Sequence, residues 1–292
     1  VELLLEHGAD VASKHDGGLT ALHLCAASCA DPGCLGLLLS AGANAEERDA
    51  SGRTALHVAV ASAPLHLVEA AVRVLLERGA RANTPEYLSK QTALHRLCER
   101  GGGEEHALAA LAALAALVQH GATVNVQDRI GHTPLHLAVY KGHDALAIGL
   151  ASMGASLNMP SSDGTCALSP RPPPPESFRD GKAANKQLRA ALLARIAQPL
   201  PWLPDAMSDS CQVCAHAFSA ANRRHHCRHC GRIVCAACSP HKTTIPKFGV
   251  AKPTRVCSEC KPVLDLYGSK ALGPPGTEEG GADAVARRRA DA

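Results

Sequence analysis

Aromatic side chains are scarce, with one Trp, three Tyr and three Phe in 292 residues. Single-stranded nucleic acids are held by stacking bases on aromatic faces, and no aromatics interleave the basic residues here, so nucleic-acid binding is not expected. No run of 18 apolar residues occurs either, so no segment reads as a membrane-spanning helix. A large net charge is also missing, but the total of +3 conceals an asymmetry. Residues 1–160 carry 11 Lys/Arg against 16 Asp/Glu, whereas residues 202–262 carry 9 against 3. The length predicts about two domains, one acidic and one basic. The sequence opens not on Met but on Val1-Glu2-Leu3-Leu4-Leu5-Glu6-His7-Gly8-Ala9-Asp10, which reads as the second half of a helical repeat, hence as a piece of a longer protein.

A repeat is plain in the acidic half. Thr20-Ala21-Leu22-His23, Thr54-Ala55-Leu56-His57, Thr92-Ala93-Leu94-His95 and Thr133-Pro134-Leu135-His136 recur at intervals of 34, 38 and 41 residues. Gly-Ala pairs follow at 42–43, 79–80, 121–122 and 154–155. Thr is suited to cap a first helix, Pro134 fits its first turn, and Gly ends a second helix in a left-handed cap. The pattern resembles the ankyrin repeat, which implies an α-helical solenoid over residues 1–169. From Gly-Ala to the next Thr the gaps are 12, 12, 13, 12 and 11 residues, so the hairpins are constant and the added length of the second and third repeats falls within their helix pairs. The Ala-rich stretch from Ala107 to Leu114 predicts a longer second helix there. The four recurring histidines read as helix-start residues bonded to neighbouring backbone, not as metal ligands. Cys25, Cys29, Cys34, Cys98 and Cys166 have no zinc spacing and read as small buried or surface residues.

Beyond Met159 the pattern decays. Asp163 to Leu168 looks like one last repeat start, but Pro170 and the prolines 172–175 forbid the helix that should follow. Residues 170–200 read as a stiff Pro-rich linker and then an amphipathic helix over 183–197, with Leu188, Leu192, Leu193 and Ile196 on one face and Lys182, Lys186, Arg189 and Arg195 around it. That apolar face is suited to cap the open end of a solenoid. Residues 266–292 are Gly, Pro and charge and read as a disordered tail.

The remaining eight of the thirteen cysteines fall into four Cys-x-x-Cys pairs, Cys211/Cys214, Cys227/Cys230, Cys235/Cys238 and Cys257/Cys260. Two such pairs complete the all-sulfur tetrahedron that Zn2+ prefers, so eight ligands imply two structural zincs. A shell closed by four thiolates leaves no position for an activated water, which argues against catalysis. Thiolates in this pattern suit a reducing cytosol better than a disulfide framework. Spacing alone leaves open which pairs share an ion.

Within and around these ligands stand Trp202-Leu203-Pro204-Asp205, Arg223-Arg224-His225-His226-Cys227-Arg228-His229-Cys230-Gly231 and Arg255-Val256-Cys257. In order and spacing they resemble the FYVE zinc finger, whose WxxD, R(R/K)HHCRxCG and RVC boxes are all matched, over residues 201–265. The resemblance implies a small zinc-stabilised α+β finger with a cross-braced pair of ions: Cys211, Cys214, Cys235 and Cys238 on one, Cys227, Cys230, Cys257 and Cys260 on the other. It further implies a pocket for the headgroup of phosphatidylinositol 3-phosphate, lined by Trp202, Asp205, Arg223, Arg224, His225, His226, Arg228 and Arg255. Such a receptor needs guanidinium forks and further donors converging on a dianionic phosphate. A competing reading has Arg224, Arg228 and Arg232 only balancing the charge of the zinc–thiolate clusters, which does not account for the adjacent histidines. The membrane loop of the family corresponds here to Phe218, Ala220 and Ala221, with only Phe218 bulky.

Ankyrin repeats followed by this finger resemble the rabankyrin-like endosomal proteins. That resemblance implies a non-enzymatic, cytoplasmic adaptor, peripheral on early endosome membranes, with a protein partner on its repeats and contact with a Rab GTPase as the implied case. A RING-type ubiquitin ligase, the rival double-zinc module, calls for Cys-x-His at the second ligand pair and has no use for adjacent histidines among arginines.

Overall fold

The computed structural model describes residues 1–28, 31–103, 105–168, 186–196, 198 and 200–268. Helix α1 spans Glu2–Glu6, and four helix pairs follow: α2 Ala21–Ser28 with α3 Pro32–Ser40, α4 Ala55–Ser62 with α5 Leu65–Glu77, α6 Ala93–Arg100 with α7 Ala107–Gln119, and α8 Pro134–Lys141 with α9 Asp144–Ser152. The first helices stack as one layer and the second helices as another, burying Leu and Ala between them. As expected, the added length lies within the helix pairs: α5 and α7 have 13 residues against nine in α3 and α9, and the third repeat also has a longer link, residues 101–106, between α6 and α7.

The shared geometry of the Thr-x-Leu-His starts comes from two bonds of one imidazole. In each, Nδ1 accepts from the Thr backbone N–H, at 3.2 Å for His23, His57 and His95 and 3.1 Å for His136. That leaves Nε2–H to reach the next hairpin, where it donates to the carbonyls of Arg53, Gln91, His132 and Thr165 at 3.1, 3.3, 3.0 and 3.4 Å. The histidines therefore join consecutive repeats, and the backbone-bonding role expected of them is the one they have. Backbone bonds continue the joint along the hairpin tips: Ala50 to Gly17, Tyr87 to Ser51, Arg129 to Ser89 and Ser162 to Ile130, at 2.8–3.2 Å.

The last hairpin differs from its expected register. Ser161 N–H donates to Thr165 O as Asp49 donates to Arg53 and Asp128 to His132, so Thr165 precedes the cap position and Cys166 stands in it. The fifth gap is thus 12 residues, like three of the other four, and the true cap position holds a residue that caps poorly. Residues 169–185, with Pro170 and the prolines 172–175, lie outside the described residues.

Helix α10, Lys186–Ala194, packs between α9 and a finger helix, α11, which spans Cys260–Gly268. Leu188, Leu192, Leu193 and Ile196 are all buried. The helix caps the solenoid and also braces the finger against it. Residues 183–185 and Ala197 of the expected helix, Lys182 and Cys29 lie outside the described residues, as do residues 269–292; α11 extends three residues into the stretch expected to be a tail. The finger itself holds two antiparallel pairs, β1 His225–His226 with β2 Ile233–Val234, and β3 His241–Ile245 with β4 Val250–Val256. Among the described residues no helix is long and apolar enough to cross a membrane.

Candidate functional site

Each Cys-x-x-Cys turn presents two sulfurs to one side, and the fold interleaves the turns. Cys211, Cys214, Cys235 and Cys238 form one tetrad and Cys227, Cys230, Cys257 and Cys260 the other, with the ligand atoms of each within 4.8 Å of one another. Four thiols converging in this way fit a tetrahedral zinc, so the chain carries two structural zinc sites with the cross-braced pairing. Their sulfurs also receive donors, as metal ligands commonly do. Cys235 N–H reaches Cys211 Sγ at 3.3 Å, Cys257 N–H reaches Cys227 Sγ at 3.2 Å, and Arg232 Nε reaches Cys230 Sγ at 3.2 Å.

Arg232 is wholly buried, and burial opposes its charge, but Cys230, Cys257 and Glu259 outweigh that and hold it protonated. Charge balance is therefore the role of Arg232, as the competing reading required. Arg228 lays its guanidinium 3.5 Å from the ring centroid of Trp202.

Trp202 is stacked on His226 as well, with centroids 5.1 Å apart and planes 9° from parallel. His226 Nε2 donates to Leu203 O at 2.8 Å and lies 3.4 Å from Asp205 Oδ1. The arm bearing Trp202 and Asp205 is thereby laid over the first strand of the basic motif. Arg255 joins from β4: its carbonyl accepts from Arg228 N–H at 3.0 Å, and its Nη1 donates to Ser239 O at 2.7 Å. Burial first, then the charges of Arg255 and Arg223, holds the His225 imidazole below its ordinary pKa. Trp202, Asp205, His225, His226, Arg228 and Arg255 thus come together beside the second tetrad.

Two arginines stand apart from that group. Arg223 is exposed at the motif's start. Arg224 turns toward the loop before the motif, its guanidinium 5.0 Å from the Phe218 ring centroid and 3.4 Å from the exposed carboxylate of Asp209. His229 points the other way, fully buried and stacked on Phe248. The loop ahead of the basic motif is a tight turn, Ser219 N–H to Asn222 O at 3.1 Å, with Ala220 and Ala221 exposed and Phe218 half-buried under Arg224.

Sequence reasoning passed over Glu259 and Asn158, and placed Arg189 only among the basic residues around a helix. Glu259 carried a signal: an acid inside a Cys-x-x-Cys turn adds charge to an already anionic shell and calls for a buried cation. Arg189 and Asn158 carried none, because their partners are 70 and 43 residues away.

The profile of the ankyrin repeats, in three copies, matches residues 1–86 and 68–161, and that of the FYVE zinc finger matches residues 201–265. Human Rabankyrin-5 is 33% identical over 197 residues, 68% of this chain and 15% of that protein. Mouse Rabankyrin-5 is 34% identical over 141 residues, 48% of this chain and 11% of the relative. Arrestin domain-containing protein A of Dictyostelium discoideum is 46% identical over 70 residues, 24% of this chain and 12% of that protein. The chain spans 15% or less of the length of each of these relatives. With ankyrin repeats over more than half its length, two zinc tetrads and all three boxes of the finger in place, the chain belongs to the ankyrin-repeat proteins and carries a FYVE zinc finger after the repeats.

Proposed function

We propose that this chain is a non-enzymatic adaptor, peripheral on early endosome membranes, whose finger binds the headgroup of phosphatidylinositol 3-phosphate while the repeats hold a protein partner in endocytic traffic. The observation that carries the lipid reading is the grouping of Arg228, Arg255, His225 and His226 with Trp202 and Asp205 on one zinc-braced face. A phosphate on an inositol ring presents nearly two charges and several acceptors, which guanidinium and imidazole N–H groups satisfy, and a carboxylate such as Asp205 accepts from ring hydroxyls. Arg223 and Arg224 border this face and add to its positive field. A Rab GTPase is the partner class in keeping with the resemblance to Rabankyrin-5.

Binding to liposomes that differ only in the position of the phosphate tests this. The chain should sediment with the 3-phosphate and not with the 4- or 5-phosphate, and should not discharge ubiquitin from a charged conjugating enzyme. Equal sedimentation with all three, or ubiquitin discharge without lipid binding, would overturn the proposal.

A further inference from the structure

The solenoid reuses one polar joint. Asn83, Asn125 and Asn158 stand four residues after Gly79, Gly121 and Gly154. Asn83 donates through Nδ2 to Gly121 O at 2.8 Å and accepts at Oδ1 from Thr123 N–H at 2.7 Å. Asn125 repeats both bonds one unit on, to Gly154 O at 3.1 Å and from Ser156 N–H at 2.7 Å. Each amide thus holds the Gly-Ala turn of the following repeat. Asn158 turns the same donor on the finger: its Nδ2 donates to Pro201 O at 2.7 Å, and its Oδ1 accepts from Ser156 Oγ at 3.0 Å. It is 2% exposed.

Pro201 opens the arm that carries Trp202 and Asp205. That arm crosses Gly231, the last residue of the basic motif, where φ is +71° and a Cβ would lie 2.5 Å from Pro201 O and 2.7 Å from Asn158 Nδ2. The last repeat, the arm and the motif therefore meet at a point that admits only glycine. Within the finger the arm's backbone makes two further hydrogen bonds, Leu203 N–H to Gly231 O at 3.4 Å and His226 Nε2 to Leu203 O at 2.8 Å, beside the ring contacts of Trp202 with His226 and Arg228. The first is long, so the short bond from Asn158 is a principal restraint at the arm's start. The same repeat touches the finger again at Gly164, whose carbonyl lies 3.5 Å from Gln212 Nε2.

We propose that Asn158 is a positioning residue of the headgroup site. The last ankyrin repeat holds the Trp202–Asp205 arm where it would otherwise hold the turn of another repeat, and the site is completed by the solenoid. The proposal rests on the headgroup reading above. It assigns Asn158 no contact with the lipid; the residue acts through Pro201 on the ring stack of Trp202 with His226 and Arg228.

Asn158→Ala in the full chain, with Asn125→Ala as the matched control, tests it. Both delete one amide of the same ladder, so a general loss of solenoid stability moves both. Trp202 is the one tryptophan of the chain, so its emission reports the arm directly. Zinc content should stay at two per chain in both variants. Asn158→Ala should shift Trp202 emission to the red and weaken binding of soluble inositol 1,3-bisphosphate roughly three- to tenfold, the effect of one neutral hydrogen bond, while Asn125→Ala should do neither. Unchanged emission in Asn158→Ala, or equal effects of the two variants, would overturn the proposal. If the wild-type chain bound no inositol phosphate, the headgroup reading would fall, and the emission comparison alone would still decide whether Asn158 holds the arm.

Discussion

Arg232 Nη2 donates to Glu259 Oε2 across 2.7 Å, while the other oxygen of the same carboxylate accepts from Arg189 Nη1 at 2.9 Å. Arg232 lies between the sulfurs of the second tetrad and Arg189 lies on α10, so one carboxylate ties the zinc site to the helix that caps the solenoid. Removing Glu259 takes away one of the charges that compensate buried Arg232, while the tetrad's sulfurs remain, so the cost lies below the full buried-pair penalty of about 3–5 kcal/mol. Glu259→Ala should therefore destabilise the finger and speed zinc release to a colorimetric chelator. Arg189→Ala, which leaves the Arg232–Glu259 pair whole, should have the smaller effect. A Glu259→Ala chain that melts and releases zinc like the wild type would contradict this account of the clamp.

The interleaved tetrads make both halves of the proposed headgroup site depend on metal. Cys227 and Cys230 fix the basic motif, and Cys257 fixes the end of β4 that brings Arg255 to it. Because a site of thiolates rarely persists without its ion, chelation should unfold residues 201–265 and abolish lipid binding while most helicity, which lies in the repeats, remains. Far-UV circular dichroism and liposome sedimentation on the same chelated sample check this; retained sedimentation would refute it.

The two inner arginines of the motif should differ. Arg228 sits within the cluster of Trp202, His226 and Arg255, whereas Arg224 faces Phe218 and Asp209. A charge-assisted hydrogen bond contributes about 1.5–3 kcal/mol, so Arg228→Ala should lower affinity for phosphatidylinositol 3-phosphate liposomes at least tenfold. The loss in Arg224→Ala should be smaller. Equal losses would mean that Arg224 swings into the site on binding.

Much of this was legible in the sequence because its causes are local. A Cys-x-x-Cys turn sets two ligands within four residues, and a Thr-x-Leu-His start closes its cap within the same span. Even the backbone-bonding role of the histidines could be read from their recurrence. The register of the last hairpin was not legible, since Thr165 resembles a cap and the bonds of Ser161 and His136 to its carbonyl are what show that Cys166 holds that place. Nor was the docking of the finger on the solenoid. Asn158 is one asparagine among the loop residues of a repeat, and what sets it apart is that Pro201 O, not a glycine carbonyl, receives its proton.

The capping histidines should make the repeats sensitive to acid. Burial, followed by the nearby His132, pushes the His136 imidazole down to about 4, and burial also lowers His57 and His95. A histidine with a depressed folded pKa is protonated more readily in the unfolded chain. The stability it lends is present above the unfolded pKa of about 6.5 and is lost as pH falls from there toward 4. Urea unfolding followed by far-UV circular dichroism should show falling stability over that window, by at most about 3 kcal/mol for His136 alone. His136→Gln should be less stable at neutral pH but lose less on acidification; an equal slope would exclude this histidine as a cause.

The loop ahead of the basic motif should limit how firmly the finger holds a bilayer. Insertion is driven by apolar side chains, at about 0.8 kcal/mol per buried CH2, and the exposed tip offers only Ala220 and Ala221. Phe218, the one bulky residue, is half-buried and stacked under Arg224, so exposing it to lipid requires breaking that contact. One finger alone should therefore recognise the headgroup yet leave the membrane quickly, and lasting residence should need self-association or a second membrane contact through the repeats to raise effective concentration. Replacing Ala220 with Leu and Ala221 with Val adds about five methyl or methylene carbons' worth of apolar surface, roughly 4 kcal/mol if fully inserted. The double variant should dissociate from phosphatidylinositol 3-phosphate liposomes at least tenfold more slowly, with its order of preference among phosphoinositides unchanged. If the two proteins left the liposomes at the same rate, the tip would not enter the bilayer and the weak hold would have to lie in the headgroup site.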